Sequence, residues 1–455
     1  MTPTSRVTST FDIAIIGAGA AGICAAWAAR RAASVVLIDS SQRLGGVVTA
    51  ALHRSICGLY ASAPKDALDT LNDGAQRELV SRIVRNEPAR VSPKQLGKAW
   101  VLEFPAAAWE SALAEMCRES GADVRVGCRV EAVRREGNRI TAIQILDTES
   151  TTSPLPVLRE RDRVRASSTD SPDGPHPNPL PAYRERGKEG ERPSAMPQWI
   201  APTVIIDCTG GGNVLRLAGP DTFQPPDETT GRILGGFAAR LSGISGDPEL
   251  LRLQIPYALA KAVEGGTLPK IARFTAFHPG PGPGEGVCKL AVNPGEYTED
   301  SACALLARIT EYLAVEIPSL AGAKIIEKSP RVLPRDGLRL DGRFVVSESD
   351  VLQGRKHPGG AVHAWWPIEK WDQDQGPTYA YPPAGQHYDI PPDALRSAAV
   401  DNLLAAGACL SATSAAMASI RVSGICMATG SAAGKLAVSL VKGCGLTGNS
   451  ERRKL

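Results

Sequence analysis

The apolar residues of this chain fall into short runs whose spacing alternates between strand and helix periods. Residues 11–16 (FDIAII) and 35–38 (VVLI) are compact runs rich in β-branched side chains, as strands covered on both faces require. Between them, residues 20–31 (AAGICAAWAARR) have the length and small apolar content of a packed helix. Amphipathic helical periods follow at 67–86 and 105–120, then a strand at 121–126 and a hairpin pairing 130–134 with 139–145. From 147 to 198 the pattern is lost. This segment is rich in Pro, Ser, Arg and Glu and lacks the apolar surface needed to offset its ordering entropy, so it reads as a disordered surface insertion. A strand returns at 202–206, and residues 220–395 are strand- and loop-rich with one helix at 301–313. The chain closes with a strand at 401–407 and a helix of very small residues within 411–441.

The first strand–helix–strand unit carries chemistry at its turn. Gly17, Gly19 and Gly22 stand at G-x-G-x-x-G spacing: the first permits a tight turn, the second lets backbone approach a pyrophosphate, and the third lets helix pack on strand. The helix beginning at Ala20 and Ala21 offers free N–H groups and the positive end of its dipole to an anion. Asp39 and Ser40 end the second strand about twenty residues on, where an acid can accept from ribose hydroxyls. Glycines, flanking strands, helix and acid occur in the order a dinucleotide site needs.

Composition narrows the setting. Lys and Arg number 51 against 48 Asp and Glu, a net charge of +3, so nothing singles out nucleic acid or an anionic membrane as partner. Ten cysteines are scattered without a C-x-x-C pair, which argues against zinc, iron–sulfur and dithiol redox centres; no metal site is expected. Arg6 followed by apolar residues 13–29 imitates a signal peptide, but those residues are all used by the nucleotide unit, so the expected location is cytoplasmic. No other run reaches the length expected of a membrane span.

Further motifs recur in order: Arg43-Leu44-Gly45-Gly46-Val47-Val48-Thr49, then VIIDCTGGG at 204–212, then NLLAAGACLSATSAAMASIRVSGICMATGSAAG at 402–434. With GAGAAG and SPRVLPRDGLRLDGRFVVSESDV, they resemble the FAD-dependent oxidoreductase family, with cofactor loops of the glutathione-reductase structural type and uncharacterised bacterial members. The resemblance implies an α/β fold: a Rossmann-like, three-layer FAD-binding domain with a parallel sheet, and an interleaved α+β substrate domain. The FAD-binding parts would be 11–60, 121–147, 201–219 and 396–445. A helical cap region would occupy 61–120, the insertion 148–200, and the substrate domain 220–395.

FAD would be held by Gly17, Gly19, Ala20, Ala21, Gly22, Asp39, Ser40, Arg43, Gly45, Gly46, Thr49, Val130, Thr209, Gly210, Gly407, Gly424 and Ile425, the last two at a helix end facing the redox edge of the flavin. The implied reaction moves a hydride between flavin N5 and a small organic substrate, since no second complete nucleotide motif supplies an NAD(P)H domain; a redox partner protein is the other source of electrons. His53, Tyr60, His363, Tyr388 and Arg421 are the candidate bases or substrate anchors. A flavin monooxygenase or halogenase is an alternative, although the G-D-A-x-H signature is missing. A non-catalytic FAD-binding subunit is another.

Overall fold

The computed structural model describes residues 7–147, 197–227, 233–280, 282–360, 362–372 and 375–448; most of the expected insertion lies outside them. The chain opens with β1 (Val7–Ile16), α1 (Ala20–Ala29), β2 (Val35–Asp39) and the short α2 (Gly46–Ala50). Next come β3 (Ser55–Cys57), α3 (Ala75–Asn86), β4 (Ser92–Leu96), β5 (Ala99–Glu103) and α4 (Ala106–Ser120). Strand β6 (Asp123–Val126), the hairpin β7 (Cys128–Glu136) and β8 (Arg139–Asp147), β9 (Gln198–Asp207) and α5 (Asn213–Ala218) follow.

A second group comprises β10 (Phe223–Gln224), β11 (Gly235–Ser242), α6 (Pro248–Glu264), β12 (Ala276–Pro279), β13 (Gly286–Val292), α7 (Glu299–Glu316), β14 (Lys324–Lys328) and β15 (Arg339–Leu340). The chain ends through α8 (Glu348–Leu352), β16 (Val362–Ala364), β17 (Ile368–Asp372), β18 (Gly376–Ala380), β19 (Tyr388–Ile390), β20 (Leu403–Ala405), α9 (Ser414–Ile420) and α10 (Ser423–Gly448).

The main sheet runs β6-β2-β1-β9-β8-β7, with β20 also on β9. Its β1, β2, β6, β9 and β20 pairings are parallel, and the β7–β8 hairpin joins it antiparallel, so the sheet is mixed at one edge. Strand alternation sorts its faces. Ile13, Ile15, Val35 and Leu37 join the core built with α1, α4 and α10, while Ala14, Ile16, Val36 and Ile38 join Ile140, Ile143, Val214 and Leu215 on the other side. A separate core spans Leu234 to Val332, where α6 and α7 cover the sheet β12-β13-β11-β14.

Three expectations need correction. The helix expected at 67–86 starts only at Ala75. The region 220–395 holds a second long helix, α6, hidden by Pro256 in its interior; Asp247 caps it by accepting from Glu249 N–H. Residues 423–443 form a helix long and apolar enough to cross a membrane, with mean hydropathy 1.4 in its most apolar window, of which 67% is buried inside the molecule.

The burial of α10 has a local cause. Gly430 and Gly434, four residues apart, lie directly on the backbone of Ala21 and Ala25 in α1, leaving no room for a Cβ at either position. These small residues of α10 admit a neighbouring helix.

Candidate cofactor and substrate site

The glycine turn lies at the carboxyl ends of β1, β2 and β9, where ligands of open α/β sheets bind. Its glycines have distinct duties. Gly17, at φ 105°, sits against the Cys208 carbonyl, and Gly22 sits on the Gly17 carbonyl; a side chain at either would collide with backbone. Gly19 differs. A Cβ there would meet only the Gly46 Cα, at 3.7 Å, so the space in front of it is open.

The second glycine loop closes onto the first. Gly45 N–H donates to Ala18 O at 2.9 Å, Gly19 and Gly45 form a parallel bridge, and both Gly45 and Gly46 have positive φ. Asp39 ends β2 beside this cradle, accepting from Ala18 N–H at 2.5 Å and Ser41 N–H at 2.7 Å. Burial raises its carboxyl above the ordinary range, against the pull of those two amides. Ser40 is exposed beside it.

Other expected cofactor residues take supporting positions. Thr49 donates to Leu44 O and accepts from Trp109 Nε1, holding the second loop. Arg43 pairs with Glu110 at 2.6 Å and lies 3.5 Å from Glu327 of β14. Thr209 bonds to Asp207, whose other oxygen accepts from Val214 and Leu215 N–H to cap α5; Gly210, at φ 71°, lies in that turn. Val130 is a half-buried residue of β7. Gly407, at φ 72°, lies against Ala21 and Cys426 and donates to Thr429 in α10. Gly424 is occupied otherwise: a Cβ there would lie 2.6 Å from Cys57 O, and Gln76 donates to its carbonyl, so it seats α10 on β3. Ile425 is fully buried beside Gly58.

The candidate anchors divide into three places. Tyr60 and Tyr388 belong to the core: Tyr60 donates to Ala67 O, and Tyr388 is wholly buried with its hydroxyl 2.8 Å from Ser419 Oγ. Burial pushes both phenols well above their usual range. Trp365 and Trp366 share that core, which makes much of the aromatic group at 360–391 packing.

His363 sits across the β16–β19 pair from Asp389, its ring 2.9 Å from that carboxylate and 4.1 Å from the His387 ring. These three residues bring potential metal-ligand atoms within 4.8 Å of one another, but Asp389 also accepts from His357 N–H, and Lys356 places its ammonium nearby by donating to the His387 carbonyl.

His53 and Arg421 come together with residues that the sequence does not single out. His53 Nδ1 lies 3.1 Å from Lys289 Nζ. Arg421 donates to Glu369 O at 3.1 Å. Two residues along β17, Trp371 donates to Glu369 Oε1 at 2.6 Å and carries the Arg335 guanidinium 4.3 Å over its ring. Lys289, first among its neighbours, holds the His53 imidazole far below its usual range, with burial, Arg335, His278 and Arg421 acting the same way. His53 is therefore neutral, and because an ammonium donates to its Nδ1, its proton sits on Nε2. Burial likewise lowers Lys289, to about 8. The available signal was Lys289 itself, a lone charge in the apolar strand GVCKLAV.

A cavity of about 430 Å³ lined by Thr10, Asp12, Ser34 and Thr203 lies at the opposite, amino-terminal end of the strands, away from these groups.

A parallel-stranded nucleotide fold with two interlocked glycine loops and a strand-end acid defines a flavin-type dinucleotide-binding protein. Residues 12–154 and 191–445 match the model of the FAD dependent oxidoreductase family, and the chain belongs to that family; its cofactor is FAD. The open cradle at Gly19, beside Asp39, fits that group. No curated protein matches the chain.

Solved structures that align with it include a geranylgeranyl bacteriochlorophyll reductase-like protein from Thermoplasma acidophilum, at 12% identity over 96% of this chain and 79% of that one, TM-score 0.41. The anhydrotetracycline hydroxylase OxyS from Streptomyces rimosus aligns at 14% identity over 96% of this chain and 63% of that one, TM-score 0.45. The myxobacterial chondrochloren halogenase CndH aligns at 11% identity over 98% of this chain and 77% of that one, TM-score 0.42. At such values none bears on the reaction.

Proposed function

We propose that the chain oxidises a small organic molecule by passing hydride to its FAD. The observation that carries this reading is the open space in front of Gly19, walled by Gly45 and Gly46 and edged by Asp39. Gly17, Gly19, Ala20, Ala21, Gly45 and Gly46 would accommodate the pyrophosphate, with backbone N–H groups at the start of α1 facing the phosphates. Asp39 and Ser40 would meet the adenosine ribose. Bound FAD supplies the two-electron acceptor.

The chain's own contribution at the reacting end is positioning. Backbone links the cradle to that end: Gly46 opens α2, and His53 N–H donates to Val48 O within it. His53, neutral and protonated at Nε2, is a hydrogen-bond donor to substrate rather than a base, and Arg421 is a fixed cation.

Anaerobic mixing of the FAD-loaded protein with a panel of alcohols, amines and acids, followed at the visible flavin band, tests the reading. Bleaching by at least one organic donor is the expected result. Oxygen uptake coupled to substrate hydroxylation would move the chain to the monooxygenase class, and a flavin that no donor reduces would make it a non-catalytic subunit.

A further inference from the structure

Strand β13 is buried along its length except at Lys289, which points its ammonium at His53. The partners of the three cations grouped here are all uncharged. Lys289 meets a neutral imidazole, Arg335 donates to Leu234 O at 2.6 Å and Gly235 O at 3.1 Å, and Arg421 donates to the Glu369 carbonyl. The neighbouring carboxylate, Glu369, has its oxygens turned to the indoles of Trp371 and Trp366. Three positive groups thus share one carboxylate in a half-buried place, each within electrostatic reach of another.

Taking three cations out of water with a single carboxylate among them is costly, and an added anion would complete the arrangement. The donors left over suit a carboxylate: two protons of an ammonium, the rest of a planar guanidinium, and an imidazole Nε2–H. A flat aromatic wall, Trp371, lies alongside.

We infer that Lys289, Arg335 and Arg421, with His53, form the seat for a carboxylate on the substrate, so that the molecule oxidised is an organic acid. The inference rests on the oxidoreductase reading and adds the substrate class. Lys289 and Arg335 place the negative group, and His53 Nε2–H gives it a neutral donor. Glu369 holds Trp371 in position and, by its own charge, disfavours a second negative group on that side.

Equilibrium dialysis of the FAD-loaded protein against benzoate and its neutral isostere benzamide tests this, read together with perturbation of the flavin band. Benzoate is expected to bind at least tenfold more tightly than benzamide. Lys289→Met should remove that preference, Lys289→Arg should retain most of it, and both should keep their FAD. Equal affinity for the two probes, or no benzoate binding to a protein that holds FAD, overturns the inference while leaving the oxidoreductase reading in place. A protein that takes up no FAD fails at the earlier step instead. The unmodified protein carries the benzoate–benzamide comparison, so the result does not depend on a variant that folds.

Discussion

Lys289 illustrates how one residue can decide the chemistry of a site without any motif around it. Its ammonium meets His53 and is within electrostatic reach of Cys57, Arg54, Arg335 and Glu369, and of His278 in β12; burial is the largest influence and lowers it to about 8. An organic carboxylate stays ionised throughout this range, and Arg335, lowered by burial to about 9, would lose its charge only above Lys289 and to the same effect, so the sign of the pH effect is set first by Lys289. Benzoate affinity should be full at pH 7 and fall as pH rises through about 8, when the ammonium loses its proton. Lys289→Arg should flatten the profile, because a guanidinium does not titrate there. Dialysis at stepped pH checks this; a profile unchanged in Lys289→Arg would assign the titration elsewhere. His53 and Arg421 stood out in the sequence, but their meeting with Lys289 and Arg335 did not, because residues 53, 289, 335 and 421 come together only through tertiary packing. The glycine cradle was legible because its first strand, turn, helix and acid are contiguous.

At the scale of elements, the contact between α1 and α10 shows what the small residues of the last helix pack against. Small side chains permit close approach, but they do not say to what. Here the neighbour of Gly430 and Gly434 is the backbone of α1, and the neighbour of Gly424 is β3. Gly430→Ala should therefore destabilise the fold by roughly 1–3 kcal/mol through overpacking. Gly443→Ala, also in α10 but with nothing within 4 Å of the added carbon, should be neutral or stabilise by about 0.5–1 kcal/mol. Denaturant midpoints of the two variants distinguish them, and equal effects would contradict the packing described. Helix α6 eluded the pattern for a different reason. An interior proline ordinarily ends a helix, yet Pro256 is accommodated in one whose inner face, with Leu251, Ile255 and Leu259, is anchored in the second core.

For the whole molecule, a chain of ion pairs crosses from the nucleotide-binding sheet to the sheet β12-β13-β11-β14: Arg43 beside the cofactor cradle reaches both Glu110 and Glu327, and Glu327 also pairs with Arg240. The segment 155–190 interrupts the family match, and the strands bracketing it already pair, with Ile145 opposite Gln198. Replacing residues 155–190 by a short Gly-Ser linker should leave FAD content unchanged and the unfolding midpoint within a few degrees, since the paired strands β8 and β9 need only be joined. Loss of FAD from the shortened protein would show that the segment contributes to the cofactor site. The change of composition at this segment was plain in the sequence, as was a strand-rich region after it, whereas the strand order β12-β13-β11-β14 and the helix α6 that covers it were not.

The most direct measurement is the identity and amount of flavin released from the purified protein and from Gly19→Val. A Cβ at Gly19 would meet only the Gly46 Cα in the polypeptide, at 3.7 Å, so the variant should fold with a stability within about 1 kcal/mol of the unmodified apoprotein. It would nonetheless fill the space the pyrophosphate needs. One FAD per chain in the unmodified protein and none in Gly19→Val is the predicted result. Full FAD occupancy in the folded variant, or an unmodified protein that refuses added FAD, would contradict the account.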